Sequence, residues 1–289
     1  MNDQGAHADP DEPIAFIRQF IDIKIRQQGG VATYYDNHLR RLIPFSRGLP
    51  SQTPAEEEEL LGDADHAYEE LTRFAALAAQ LRFQNPVPRL ERDLKDVVAQ
   101  MAVSLPTYEA GQGVLTAIYW AGMPLFKSVY DLAAYPMLIA ELQPRTIIEL
   151  GSGSGASAIW LADVASAHGL SPQIISVDLR RVDATDSRVT FLNGDIADLE
   201  GLLSPYIASL QHPWLIIEDA HVYVAEVLTY FDEHMHLGDY MIIEDSTQKR
   251  EALLQFVSTA PARYLLDTRY VDLFGHNTTC AVDSIFRRV

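Results

Sequence analysis

An open, largely parallel α/β sheet behind a helical N-terminal stretch is predicted by three features of this 289-residue sequence. Short apolar runs alternate with helical patterns from Arg145 onward, as in sheets covered on both faces. One run, Thr146-Ile-Ile-Glu-Leu150, breaks into Gly151-Ser152-Gly153-Ser154-Gly155 and resumes as the helical pattern Ala158-Ile-Trp-Leu-Ala162. Strand, glycine turn and helix N-terminus make a nucleotide-binding opening, with unpaired N–H groups and a partial positive charge facing the ligand. Composition is the third feature. With 48% hydrophobic residues the chain can bury a large core, as one domain or as a catalytic domain plus an extension.

Taken in order, residues 1–12 are polar and expected to be a disordered tail, followed by a helical extension over 13–114 and the sheet domain over 115–289. Ile14, Ile17, Ile21 and Ile25 recur at helical spacing until Gly29-Gly30, and 34–43 reads as a shorter helix. Thr53-Pro54-Ala55-Glu56 resembles a capping box, and the acids at 56–59 complement the dipole of the helix it opens. Leu60, Ala64, Leu71, Ala75 and Ala78 continue one apolar face toward Leu81. Pro86 and Pro88 divide that helix from another at about 90–103. The extension carries no chemical motif and reads equally as a substrate cap or a dimerisation arm. Trp120, Gly122, Pro124, Lys127 and Asp131 mark an irregular loop entering a helix. It either packs over the sheet edge or turns Lys127 toward a cofactor or substrate pocket.

Strands are predicted at 146–150, 173–178, 189–192, 214–218, 240–244, 264–267 and 280–286. Val224, Val227, Leu228, Phe231 and Met235 form the stripe of a covering helix that Gly238 ends, and His234 and His236 complement its dipole. The last two strands enclose the loop 274–279, and the chain finishes as a strand. That order suits a Rossmann-like, seven-stranded methyltransferase sheet with a terminal antiparallel hairpin.

Charge and cysteine content narrow the partners. Forty Asp+Glu against 22 Lys+Arg give a net charge of −18, a surface that repels nucleic acid and anionic lipid. Cys280 is the only cysteine, so an internal disulfide and a thiolate zinc cluster are excluded. The acidic start and the lack of a long apolar run predict a soluble cytoplasmic protein.

Four features fall at the carboxyl ends of predicted strands, where open α/β sheets bind ligands. The glycine turn reads Glu-x-Gly-x-Gly-x-Gly, with Glu149 two residues before Gly151. That is the pattern of S-adenosylmethionine (SAM) methyltransferases, and Glu149, Gly151, Ser152, Gly153 and Gly155 become candidate cofactor residues. Ala156, at the third position of a dinucleotide fingerprint, keeps an NAD-linked oxidoreductase open. Asp178 ends a strand and either accepts ribose hydroxyls or caps a turn. Asp195, after Gly194, either accepts the adenine amino group or forms an Asx-turn.

The fourth feature is a pair of strand ends, Leu-Ile-Ile-Glu218-Asp219-Ala-His221 and Met-Ile-Ile-Glu244-Asp245-Ser. Four carboxylates at adjacent strand tips repel one another unless a cation sits among them. Oxygen ligands favour Mg²⁺ or Ca²⁺, and Mg²⁺ where a substrate supplies further oxygens. The bland alternative is that these acids cap the following helices. His221 stands beside them, either as a general base for a hydroxyl or as a structural residue.

These stretches, with Ile-Ile-Glu149-Leu-Gly-Ser-Gly-Ser-Gly-Ala-Ser-Ala-Ile-Trp-Leu-Ala-Asp163, Gly238-Asp-Tyr-Met-Ile-Ile-Glu-Asp245 and the Trp120/Gly122/Lys127/Asp131 segment, resemble the cephalosporin hydroxylase family. The resemblance covers about residues 115–289. It implies a class I SAM-methyltransferase fold related to Mg²⁺-dependent macrolide-sugar O-methyltransferases, often oligomeric and acting in natural-product tailoring. It further implies Glu218, Glu244 and Asp245 on the metal and His221 as base. Such families usually carry aspartate where this chain has Glu218, which leaves three outcomes: a shifted ion, transfer of the role to Asp219, or loss of the metal. The sequence therefore predicts a SAM-dependent, Mg²⁺-assisted O-methyltransferase acting on a hydroxyl of a small metabolite or sugar, as a homo-oligomer. A non-catalytic partner subunit of the same fold is the alternative outside enzyme classes.

Overall fold

The computed structural model describes residues 82–103, 111, 118–259 and 263–289. The helices and capping box expected before residue 82 lie outside the described residues. From Phe83 to Val289 the chain forms one compact unit. Its strands are β1 (Phe83–Gln84), β2 (Ile118–Trp120), β3 (Met123–Leu125), β4 (Thr146–Leu150), β5 (Gln173–Asp178), β6 (Val189–Asn193), β7 (Trp214–Glu218), β8 (Tyr240–Ile243), β9 (Tyr264–Asp267) and β10 (Ile285–Arg288). Its α-helices are α1 (Val87–Leu90), α2 (Leu94–Gln100), α3 (Asp131–Leu142), α4 (Ala156–Ala167), α5 (Leu199–Ile207), α6 (Val224–His234), α7 (Arg250–Thr259) and α8 (Thr268–Val271).

Eight strands form one mixed sheet in the order β1-β9-β10-β8-β7-β4-β5-β6, and β2 and β3 pair separately. β4, β5, β6, β7 and β8 run parallel, whereas β10 is antiparallel to both β8 and β9. The centre is dry because its strands are apolar on both faces: Ile147, Ile148, Leu215, Ile216, Ile217, Met241 and Ile242 are fully buried. The seven strands expected from the sequence are present, with an eighth, β1, added at the edge against β9. A two-residue strand has no alternation to read, and the sequence pattern there offers only the prolines that follow.

Three other expectations change. The helix expected at about 90–103 is shorter, α2 at Leu94–Gln100 with α1 before it, because Asp93 caps α2 by accepting from the Lys95 N–H. The irregular stretch before α3 is the β2–β3 hairpin, turning at Ala121 and Gly122 with φ of 48° and 77°. The last strand starts at Ile285 rather than 280, since Asp283 is left-handed (φ 55°) and its carboxylate ties a turn instead of a ladder.

That turn is a polar clamp. Arg89 donates to Asp283 at 2.7 Å and to Asp272 at 2.7 and 3.0 Å, while Arg250 donates to Asp283 at 3.1 Å. Burial opposes the charge on Asp272, but His276 and Arg89 outweigh it and hold its carboxyl well below the usual range. A depressed folded-state pKa stabilises above the unfolded value of about 4, and the benefit is lost as pH falls through the folded value. Arg89→Ala is expected to cost about 3 kcal/mol in urea denaturation at pH 7. The loss should shrink as pH is lowered below about 4.

The register positions the functional end of the sheet. Leu150 pairs with Glu218, and Glu218 with Ile243. The next residues, Gly151, Asp219 and Glu244, therefore lie side by side at the carboxyl tips. Between β4 and β7 the chain order reverses direction across the sheet, which opens the crevice where such folds take ligands. Among the described residues no helix is long and apolar enough to cross a membrane.

Candidate active site

The glycine turn is shaped by close contacts. Gly151 has φ +102°, and a Cβ there would stand 2.6 Å from the carbonyl oxygen of Asp219. The turn after β4 and the tip of β7 thus touch. Gly155 has φ +85°, and a Cβ would meet Val182 and Ala184 at 2.7 Å, whereas a Cβ on Gly153 would enter open space. Only glycine satisfies both the conformation and the packing at 151 and 155. The Gly153 N–H donates to Asp178 at 2.8 Å, and the second Asp178 oxygen accepts from Arg180 N–H at 2.8 Å. Two lone-pair positions on Asp178 remain for a ligand.

Glu149 is completely buried beneath this turn. Its Oε2 accepts from Ser176 at 2.5 Å, and Ser152 and Ser176 share a 2.5 Å hydrogen bond. Its Oε1 has no hydrogen-bond partner. Burial pushes this carboxyl up, against the pull of Lys127 and neighbouring serines. An orphaned buried carboxylate oxygen beside an open glycine cradle fits the amino acid end of SAM, which brings a cationic donor. Asp195 sits farther along and accepts from the Ala197 N–H at 2.9 Å, the Asx-turn of the bland reading.

The four acids expected around one cation divide into two kinds. Glu218 and Glu244 are buried and held by lysines; Asp219 and Asp245 retain solvent-facing carboxylates. Glu218 accepts from Lys249 Nζ at 2.7 Å and from the N–H groups of Ala220 and His221 at 3.1 and 3.0 Å. Glu244 accepts from Lys127 Nζ at 2.5 Å and from the Tyr135 hydroxyl. Lys127 also reaches Asp219 at 2.9 Å. Rather than opening on the cofactor turn, this lysine is 2% exposed and is the counter-ion of the acidic tips. Burial opposes its charge, but Asp219 and Glu244 outweigh burial and hold the ammonium well above its ordinary value. Burial and the Asp219 charge push Glu244 well up, while Lys127 counteracts burial and keeps Asp219 below its usual range.

Asp219, His221 and Asp245 can each offer one ligand atom within 4.8 Å of the others. His221 Nε2 lies 3.5 Å from Asp219 Oδ1 and 3.6 Å from Asp245 Oδ2. His221 and Asp245 both have left-handed backbones, φ 62° and 46°, unusual for residues with a Cβ. Strain of this kind persists where surrounding bonds enforce it, and here Glu218 does so by accepting from the His221 N–H. Two partly exposed carboxylates suit a divalent ion keeping several waters, with the imidazole beside them. Lys249, in the turn before α7, and Tyr135, in α3, were not legible as site residues, because a lone lysine and a lone tyrosine carry no motif.

A family model described as Rhamnosyl O-methyltransferase/CmcI matches residues 112–262. A rhamnosyl O-methyltransferase of Mycobacterium leprae is 26% identical over 163 residues, 52% of this chain and 70% of that protein. One from Mycobacterium bovis is 27% identical over 181 residues, covering 58% and 71%. Among solved structures, CmcI with Mg and SAM aligns at a TM-score of 0.53 and 26% identity, covering 65% of this chain and 85% of that one. CmcI with SAH aligns at a TM-score of 0.51 and 26% identity, covering 67% and 91%. The match spans the glycine turn and both acidic strand tips, and it selects methyl transfer over the nicotinamide reading. The chain belongs to the Rhamnosyl O-methyltransferase/CmcI family of SAM-dependent O-methyltransferases.

Proposed function

We propose that this enzyme methylates a hydroxyl of a sugar or other small metabolite, at a site formed by the glycine turn and the tips of β7 and β8. The observation that carries this reading is the contact of Gly151 with Asp219, 2.6 Å from a built Cβ, which sets a cofactor cradle directly against Asp219, His221 and Asp245. Glu149 and the turn 151–155 would hold the methionine end of SAM, and Asp178 its ribose. Asp219 and Asp245 would hold the Mg²⁺. A divalent cation there polarises an acceptor hydroxyl and makes it more acidic.

The chain's own residues supply the rest. His221 is placed to take the proton of an acceptor hydroxyl, and bound SAM would supply the methyl group that the hydroxyl oxygen accepts. The His221 backbone, pinned through Glu218, sets the imidazole between Asp219 and Asp245, at 3.5 and 3.6 Å. Exposed Phe126, Val222 and Tyr223 adjoin Lys127 and His221 in the chain and suit an acceptor with an apolar body beside its hydroxyl. The family resemblance supports a homo-oligomer.

The test is SAM turnover over a library of hydroxylated sugars and metabolites, with and without EDTA. EDTA should lower turnover at least about tenfold, and added Mg²⁺ should restore it. Turnover indifferent to EDTA would remove the metal from the mechanism.

A further inference from the structure

We propose that Lys249 decides which carboxylates the divalent ion uses: its ammonium holds Glu218 as a brace for the His221 turn and leaves Asp219 as ligand. This deepens the metal-assisted methyltransferase reading above and rests on it. Glu218 is completely buried, and both its oxygens accept hydrogen bonds. One accepts from Lys249 at 2.7 Å, and the other from the backbone N–H groups of Ala220 and His221. The carboxylate is thus turned back onto its own chain, away from the solvent side where Asp219 and Asp245 emerge.

Lys249 is itself buried, and its Nζ also donates to the Glu244 carbonyl at 2.6 Å, so one ammonium ties the tips of β7 and β8 together. A second cation on Glu218 would crowd that ammonium or have to displace it, leaving a buried charge without its partner. Asp219 gives one oxygen to Lys127 at 2.9 Å, but its Oδ1 and the Oδ2 of Asp245, on side chains 19% and 42% exposed, face His221 and carry no lysine. A glutamate at 218 is long enough to cover two N–H groups and still reach Lys249. On this reading Glu218 and Lys249 act as one unit, which leaves the metal role to the next residue along the chain.

The experiment is titration of the protein with Mn²⁺, followed by electron paramagnetic resonance without SAM or acceptor. Circular dichroism and thermal melts check the fold of each variant. Glu218→Gln should weaken Mn²⁺ by no more than about tenfold, the low end for an outer partner, whereas Asp219→Asn, which removes a ligand, should weaken it well beyond that. Lys249→Met should free Glu218 and tighten Mn²⁺ about tenfold, and adding Glu218→Gln should abolish that gain, a coupling seen only if the two act together. Lys249→Arg keeps the cation and should bind like the wild type, which preserves the comparison if Lys249→Met fails to fold. Glu218→Gln weakening Mn²⁺ as much as Asp219→Asn, or no tightening in folded Lys249→Met, would overturn the inference alone. A wild type that binds no Mn²⁺ would instead overturn the metal reading beneath it.

Discussion

Replacing His221 by alanine is expected to lower kcat about 10²- to 10⁴-fold, the usual contribution of a positioned general base. The imidazole has no other evident duty. Its side chain is 52% exposed, and its contacts are the two acids at 3.5 and 3.6 Å. The bond that fixes the turn comes from the His221 backbone N–H to Glu218, which alanine retains. Fold and SAM affinity should therefore be unchanged while the chemical step slows. Single-turnover methylation with saturating SAM, beside calorimetric titration of SAM into the variant, separates the two. A drop in SAM affinity with normal single-turnover rates would mean that His221 serves the cofactor and not the acceptor.

Replacing Lys127 by methionine should be the most damaging change to stability. The ammonium is buried between Asp219 and Glu244, at 2.9 and 2.5 Å. Removing one partner of a buried pair typically costs about 3–5 kcal/mol, because the remaining charge stays desolvated. Glu244 can relieve part of this by taking a proton, which its burial already favours, so the lower end, about 3 kcal/mol, is expected. In a domain of this size that lowers Tm by about 6–12 °C. The loss should be smaller at pH 5 than at pH 8, since protonating Glu244 removes the uncompensated charge. Urea denaturation of both proteins at the two pH values checks it, and an equal loss at both would mean that packing of the lysine stem dominates.

Much of the sheet was legible because its parallel strands are continuous apolar runs closed by acids or glycine. Thr146–Leu150 and Trp214–Glu218 were read at the bounds the structure has. β1 was not, since two residues on an edge leave no period, and the run 280–284 was misread as strand because its apolar residues are buried by a turn rather than a ladder. At the site, the sequence shows which acids cluster at strand ends, because strand order makes those ends neighbours. It does not show how their charge is shared. That depends on Lys127 and Lys249, which come from a stretch before α3 and from the turn before α7, 122 residues apart in the sequence. Pairing over such a separation follows from the fold and leaves no local pattern.

The most direct measurement is a crystal structure of the protein soaked with SAM and Mn²⁺, with anomalous scattering to locate the metal. Cofactor density over residues 151–155, with its methyl group facing His221 and an anomalous peak on Asp219 and Asp245, is the expected result. A glycine turn left bare under saturating SAM, or a peak far from both aspartates, would contradict it.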